Sequence, residues 1–223
     1  MTPNAPRKRL DRRDVPNALT VLRLLLTGVF VVVLSFYSHG HNAGGLALLA
    51  AILFTVAAVT DALDGYLARK WDAVSVFGRV MDPLADKVLV LGAFILLAGP
   101  GFASVMLDGS RVQVSGVAPW MAVVILAREL LITSLRGMVE SRGVSFAATW
   151  SGKAKMIAQS VVLPVILVLV WMHSREPDDA AWAPRVCAAL ALATTLLTAG
   201  SAIPYITRAM QVLRAPTSER TTK

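Results

Sequence analysis

Four aspartates carry the chemistry most legible in this chain: Asp61, Asp64, Asp82 and Asp86. The first pair lies in Asp61-Ala-Leu-Asp64-Gly65-Tyr-Leu-Ala68-Arg69, and after eight further residues come Gly78, Asp82 and Asp86. On a helix Asp61, Asp64, Gly65 and Ala68 fall at i, i+3, i+4 and i+7, which is one face. Asp82 and Asp86, at i and i+4, share a face near the start of the next helix, where Pro83 fits because a first turn does not use the missing N–H. Carboxylates gathered in a partly dehydrated place repel, so either they take up protons or a cation sits among them. Donor sets made only of oxygen select hard ions, here Mg²⁺ or Mn²⁺. Capping of helix ends would account for one or two acids. Four along two faces, at roughly 2.5–3.5 kcal/mol each to insert in a membrane helix, exceed what capping needs. The spacing is not that of an EF-hand, whose acids alternate through a loop. Gly65, Ala68 and Gly78 lack bulk on the same faces, which admits either a flat ligand such as a nucleotide or close helix packing.

The elements that position these acids are apolar. Of 223 residues 56% are hydrophobic and 16% charged, against about 45–50% and 25% in soluble domains. No charge occurs from Leu24 to Thr60 or from Val88 to Leu107, and a bilayer core needs roughly 20 mostly apolar residues per helix. The reading is an all-α, polytopic membrane protein with six transmembrane helices at about 17–38, 43–70, 79–100, 118–139, 152–173 and 183–213, with Pro164 and Pro204 as kinks that do not end their spans. The second and third spans, joined by a short turn, are expected to be antiparallel neighbours. One domain over 15–213 lies between a basic tail at 1–14 and a second tail at 214–223. The opening arginines are the positive flank of a first span and not a nucleic-acid tail or the start of a cleaved signal. Cys187, the lone cysteine, excludes a disulfide framework and a zinc site.

Orientation follows from the Lys/Arg bias of short loops. The N-terminal tail, the Arg69-Lys70…Arg79 turn, the Arg142…Lys155 connection and the C-terminal tail are basic, while the alternate loops hold only Arg111, Arg175 and Arg185. Both termini and the aspartates are thus expected at the cytoplasmic side, the basic face meeting anionic headgroups.

A further set of charges lies in span four. Arg128 and Glu129 sit inside an apolar run, with Arg136 eight residues on and Lys153 and Lys155 opening the next span. Arg128 lies ~12 Å from Arg136 along the axis, on nearly the same side. An intramembrane arginine is a functional candidate, against the alternative of a structural pair with Glu129 or an aspartate. Arg136 and Lys155 are equally suited to lipid phosphate. Two arginines and a lysine around a cavity beside a metal suit an acceptor that carries a phosphate.

Asp-x2-Asp-Gly-x2-Ala-Arg-x8-Gly-x3-Asp-x3-Asp, matched at every defined position by residues 61 to 86, resembles the signature of the CDP-alcohol phosphatidyltransferases. The resemblance implies a six-helix fold, usually a homodimer, with the nucleotide at the cytoplasmic end. It implies that Asp61, Asp64 and Asp82 bind metal and the CDP pyrophosphate, and that Asp86 is the general base and touches a second metal. Gly65, Ala68, Arg69 and Gly78 would line the nucleotide pocket, with Asn17 and Thr20. Within the family, the segments Pro16-Asn17-Ala-Leu-Thr20-Val-Leu-Arg23, Asp82-Pro-Leu-Ala-Asp86-Lys87, Ala127-Arg128-Glu129-Leu-Leu-Ile-Thr-Ser-Leu-Arg136 and Trp150-Ser-Gly-Lys153-Ala-Lys155 are similar to the bacterial phosphatidylglycerophosphate synthases. That likeness implies CDP-diacylglycerol as donor and glycerol 3-phosphate as acceptor, Arg128, Arg136 and Lys153 as acceptor-phosphate ligands, and residence in the bacterial inner membrane. The same chemistry with an inositol phosphate or serine acceptor, and a divalent-cation carrier, are the rival readings. The polar loop at 101–117, with Asp108-Gly-Ser-Arg111, departs from the likeness and has no role legible in sequence.

Overall fold

The computed structural model describes residues 14–40, 43–71, 76–105, 111–142, 150–177, 179 and 181–214; the side chains at 68 and 69 lie outside that set, as do Asp108 and nearly all of both tails. The described chain is helical: α1 (Asp14–Ser35), α2 (Ala43–Trp71), α3 (Val76–Leu97), α4 (Pro119–Glu140), α5 (Trp150–Arg175), α6 (Ala183–Gly200) and α7 (Ile203–Arg214). Segments Asn17–Ser35, Gly45–Leu67, Gly152–Arg175 and Ala183–Leu213 are long and apolar enough to cross a membrane. The remaining long helices carry more charge: Asp82, Asp86 and Lys87 in α3, and Arg128, Glu129 and Arg136 in α4.

Side-chain burial shows how the helices face. On α1 the buried positions Thr20, Arg23, Thr27, Phe30 and Leu34 recur at helical spacing, while Val21, Leu25, Val29 and Val32 are exposed. An outward face this apolar suits acyl chains, not water. The inner face of α2 is built from Ala47, Ala50, Ala51, Phe54 and Ala57 and continues through Thr60 to Asp64, small residues that let helices approach closely.

The packing order corrects one expectation. Although α2 and α3 follow one another through a short connection, they touch little; α1 packs extensively on both. A short turn fixes which ends meet, not which faces do. A polar stripe on α1 therefore runs between the acids of α2 and those of α3. Elsewhere α2 packs on α5, α5 on α6, and α4 on α6 and α7.

Two prolines behave differently from expectation. Because α3 begins at Val76, Pro83 lies inside the helix and not in its first turn, so the carbonyl of residue 79 loses its usual donor. Pro164 stays within a continuous α5. The segment read as one helix over 183–213 is interrupted at Ser201 and Ala202, with Pro204 in the first turn of α7. Pro204 has no N–H for the carbonyl of residue 200, and the chain restarts instead of bending through.

The loop after α3 is structured. A turn at Pro100–Phe102 leads into an antiparallel hairpin of β1 (Ala103–Val105) and β2 (Arg111–Gln113). The side-chain amide of Gln113 donates to the carbonyls of Leu97 and Gly99, each at 2.9 Å, and the Ser115 hydroxyl donates to Leu97 at 2.6 Å. These close the carbonyls left over at the end of α3. Phe102 stacks on Tyr37 with centroids 4.1 Å apart, tying the loop to the end of α1. Gly116 adopts φ +66°, and a Cβ there would lie 2.1 Å from the Ala188 nitrogen on α6. Gly116→Ala is expected to cost about 2–3 kcal/mol, from the left-handed backbone and overpacking together. Thermal denaturation in detergent measures it, and an unchanged midpoint would mean that α6 does not press on this turn.

Candidate active site

The site forms where the polar end of the α1 stripe meets α2 and α3. Arg23 is 0% exposed, and its guanidinium forms ion pairs with Asp61 on α2 and Asp82 on α3; Nη2 also lies 3.9 Å from Oδ2 of Asp64. The Thr20 hydroxyl, one turn earlier, donates to the same Asp82 oxygen at 2.9 Å. Asp64 is nearly enclosed at 5% exposure, whereas Asp61 and Asp82 are 38% and 40% exposed. Three carboxylates from two helices thus converge on one buried positive charge, two of them opening outward.

Repulsion between the acids is offset in this arrangement by a guanidinium. Sequence reasoning placed a cation among the aspartates and overlooked Arg23 as one. The signal was present: the charge borders the uncharged run from Leu24 to Thr60, and an arginine at such depth requires acidic partners. Among the described residues no three acidic, histidine or cysteine side chains stand around one point as ligands. The donor chemistry nonetheless fits a hard divalent ion. The oxygens are carboxylate, and Oδ2 of Asp64 is buried without a hydrogen-bond partner, which leaves a lone pair that a cation would satisfy.

Asp86 is half-buried one turn beyond Asp82 on α3. It lines a small cavity of about 30 Å³ with Arg23, Asp61, Phe54, Met156 and Ser160. Lys155, Arg23, Glu129 and Lys87 lie within electrostatic reach of it. Asp86 therefore stands between the Arg23 cluster and a second one. In that second cluster Glu129 pairs with both Arg128, at 3.0 Å, and Lys155. Arg128 also donates to the Ser201 hydroxyl at 2.9 Å and lies 5.7 Å from the centroid of the Tyr205 ring. Lys87 donates to Thr133 on α4 at 2.6 Å, fastening α3 to the helix that bears Arg128.

The other expected site residues are placed as follows. Asn17 and Gly65 are half-buried and Gly78 is buried, on the helices that carry the aspartates; Ala68 and Arg69 belong to α2, with side chains outside the described set. Arg136 and Lys153 are exposed. Lys155 is the lysine brought to Arg128, through Glu129. Ser201 and Tyr205 were not anticipated, because nothing in sequence announces that the α6–α7 break lies against α4.

The chain is similar to known proteins over most of its length. A CDP-diacylglycerol–glycerol-3-phosphate 3-phosphatidyltransferase of Bacillus subtilis is 35% identical over 162 residues, covering 70% of this chain and 77% of the relative. A probable phosphatidylglycerophosphate synthase of Mycobacterium tuberculosis is 33% identical over 198 residues, 89% of this chain and 82% of the relative. A CDP-diacylglycerol–glycerol-3-phosphate 3-phosphatidyltransferase of Salmonella typhimurium is 33% identical over 198 residues, 88% and 94% of the two chains. The sequence profile of the CDP-alcohol phosphatidyltransferases matches residues 13–212, which takes in all four aspartates and both charged clusters, and the chain belongs to that family.

Proposed function

We propose that the protein transfers the phosphatidyl group of CDP-diacylglycerol to sn-glycerol 3-phosphate, giving phosphatidylglycerophosphate and CMP. One observation carries the reading: Asp61, Asp64 and Asp82, from two helices, converge on a single buried positive centre, with Asp86 between it and a second cluster holding Arg128 and Lys155. The names of the relatives support the choice of acceptor.

The acyl chains of the donor stay in the bilayer, against the apolar outer faces of the helices, and its pyrophosphate lies at the aspartate end. Asp61, Asp64 and Asp82 would hold Mg²⁺ or Mn²⁺, whose chemistry is to neutralise the pyrophosphate and favour CMP as leaving group. Gly65, Ala68, Arg69, Gly78, Asn17 and Thr20 surround the nucleotide on this reading. Asp86 accepts the proton of the acceptor's primary hydroxyl as that oxygen attacks the lipid-side phosphorus; a new P–O bond forms, the bond to CMP breaks, and CMP leaves with the electron pair. On this reading Arg128, Arg136 and Lys153 bind the acceptor phosphate, with Lys155 beside Glu129. The relatives' bacterial origin and the basic connections favour an inner-membrane protein in which α3 and α4 also cross. Six spans then leave both termini and the site on the cytoplasmic side. The family resemblance further implies a homodimer.

Purified protein given CDP-diacylglycerol, Mg²⁺ and one acceptor at a time tests the reaction through CMP release. Release is expected with glycerol 3-phosphate. Turnover with serine or an inositol phosphate but not with glycerol 3-phosphate would overturn the acceptor, and metal flux without CDP-lipid would favour a cation carrier.

A further inference from the structure

Arg128 is held in place from behind. It is 7% exposed and cannot choose its position freely: Nη1 donates to Glu129 at 3.0 Å and Nη2 to Ser201 at 2.9 Å. The Ser201 hydroxyl in turn donates to the Thr198 carbonyl at 2.7 Å, which turns its lone pairs toward the guanidinium. The Cζ of Arg128 lies over the Tyr205 ring, 5.7 Å from its centroid. Ser201 and Tyr205 are each 3% exposed; Ser201 opens the two-residue interruption between α6 and α7, and Tyr205 lies in the first turn of α7. A continuous helix would give Ser201 and Tyr205 one fixed relation along its face; the interruption instead makes the serine the cap of α6 and sets the tyrosine in α7. The Tyr205 hydroxyl is itself pressed onto α5, where a Cβ on Gly152 would lie 2.4 Å from it. The Nε of Arg128 is buried without a hydrogen-bond partner. Two of the guanidinium's nitrogens are thus fixed by protein groups, while a third keeps a donor to offer.

We propose that the α6–α7 break is a positioning device, in which Ser201 and Tyr205 orient the Arg128 guanidinium toward the acceptor phosphate. It rests on the reading of Arg128 as a phosphate ligand. Ser201 and Tyr205 do not touch the acceptor; they act through Arg128. Anion recognition by guanidinium depends on direction, so a loosened Arg128 still carries its charge but presents it poorly. The expected signature is a weakened acceptor KM with the CDP-diacylglycerol KM preserved.

The test compares Ser201→Ala, Tyr205→Leu, Tyr205→Phe and Arg128→Ala in steady-state kinetics of the full-length protein, each with its thermal midpoint. Ser201→Ala is expected to raise the glycerol 3-phosphate KM about tenfold, the loss of one hydrogen bond to a charged group. Tyr205→Leu, which removes the ring face, is expected to raise it more than Tyr205→Phe, which keeps it. In Arg128→Ala background, Ser201→Ala should add nothing further, since its effect passes through the missing side chain. If Arg128→Ala raises the acceptor KM and neither Ser201→Ala nor Tyr205→Leu does, the positioning role is wrong while the ligand reading stands. If Arg128→Ala leaves that KM unchanged, the ligand reading itself fails. If Ser201→Ala and both tyrosine variants raise the KM for donor and acceptor alike, or lower only the midpoint, the break is a packing feature and the proposal falls.

Discussion

Asp86→Asn is expected to reduce CMP release by about 10²–10⁴-fold, the range a positioned base contributes, while CDP-diacylglycerol binding persists. Asparagine keeps the shape of the side chain and removes its capacity to accept the proton. Arg23 pairs with Asp61, Asp64 and Asp82, so the aspartate cluster keeps its charge balance in this variant. Asp86 shares a cavity with Arg23, Asp61, Met156 and Ser160 and lies within electrostatic reach of Lys155 and Glu129, so on the proposed reading it is the carboxylate that both clusters share. Single-turnover CMP release, with donor binding measured separately in nanodiscs, checks the prediction. A variant that releases CMP at near the parent rate would remove Asp86 from the proton transfer.

The second large effect concerns stability. Arg23→Leu removes a fully buried cation and leaves three carboxylates facing one another. Removing one partner of a buried ion pair costs roughly 3–5 kcal/mol. The lower end applies, about 3 kcal/mol, because Asp61 and Asp82 are each more than a third exposed and water screens them. The melting midpoint in detergent is expected to drop in chelator and to recover in part with Mg²⁺ or Mn²⁺, because a bound ion restores the missing positive charge and binds the folded state preferentially. A variant as stable as the parent in chelator would mean that the guanidinium is not the counter-charge of these acids.

Long uncharged runs made the apolar helices legible in sequence, and the three- and four-residue spacings of the acids made their helical faces legible. What escaped was tertiary. The connection from Trp71 to Val76 is short, and adjacency in sequence suggested adjacency in space, but α1 inserts buried Thr20 and Arg23 that are satisfied by Asp61 and Asp82. A buried arginine with no partner would be more costly than parting two helices. The interruption at Ser201–Ala202 escaped because a proline in an apolar run permits either a kink or a restart, and neighbouring helices decide which. The hairpin at 103–113 escaped because its strands are three residues each, too short for an alternating pattern to stand out. Lys155 rather than Lys153 meets Glu129. Two residues apart on a helix, the two lysines point to different sides, and the sequence alone does not say which side is inward.

The most direct test of the central claim is Mn²⁺ binding followed by electron paramagnetic resonance in the presence of CDP-diacylglycerol, comparing the parent with Asp64→Asn. Asp64 supplies the enclosed oxygen of the cluster that accepts no hydrogen bond, so bound Mn²⁺ is predicted in the parent and its loss in the variant. Equal Mn²⁺ binding by both proteins would contradict the claim that these aspartates hold the ion against the nucleotide diphosphate.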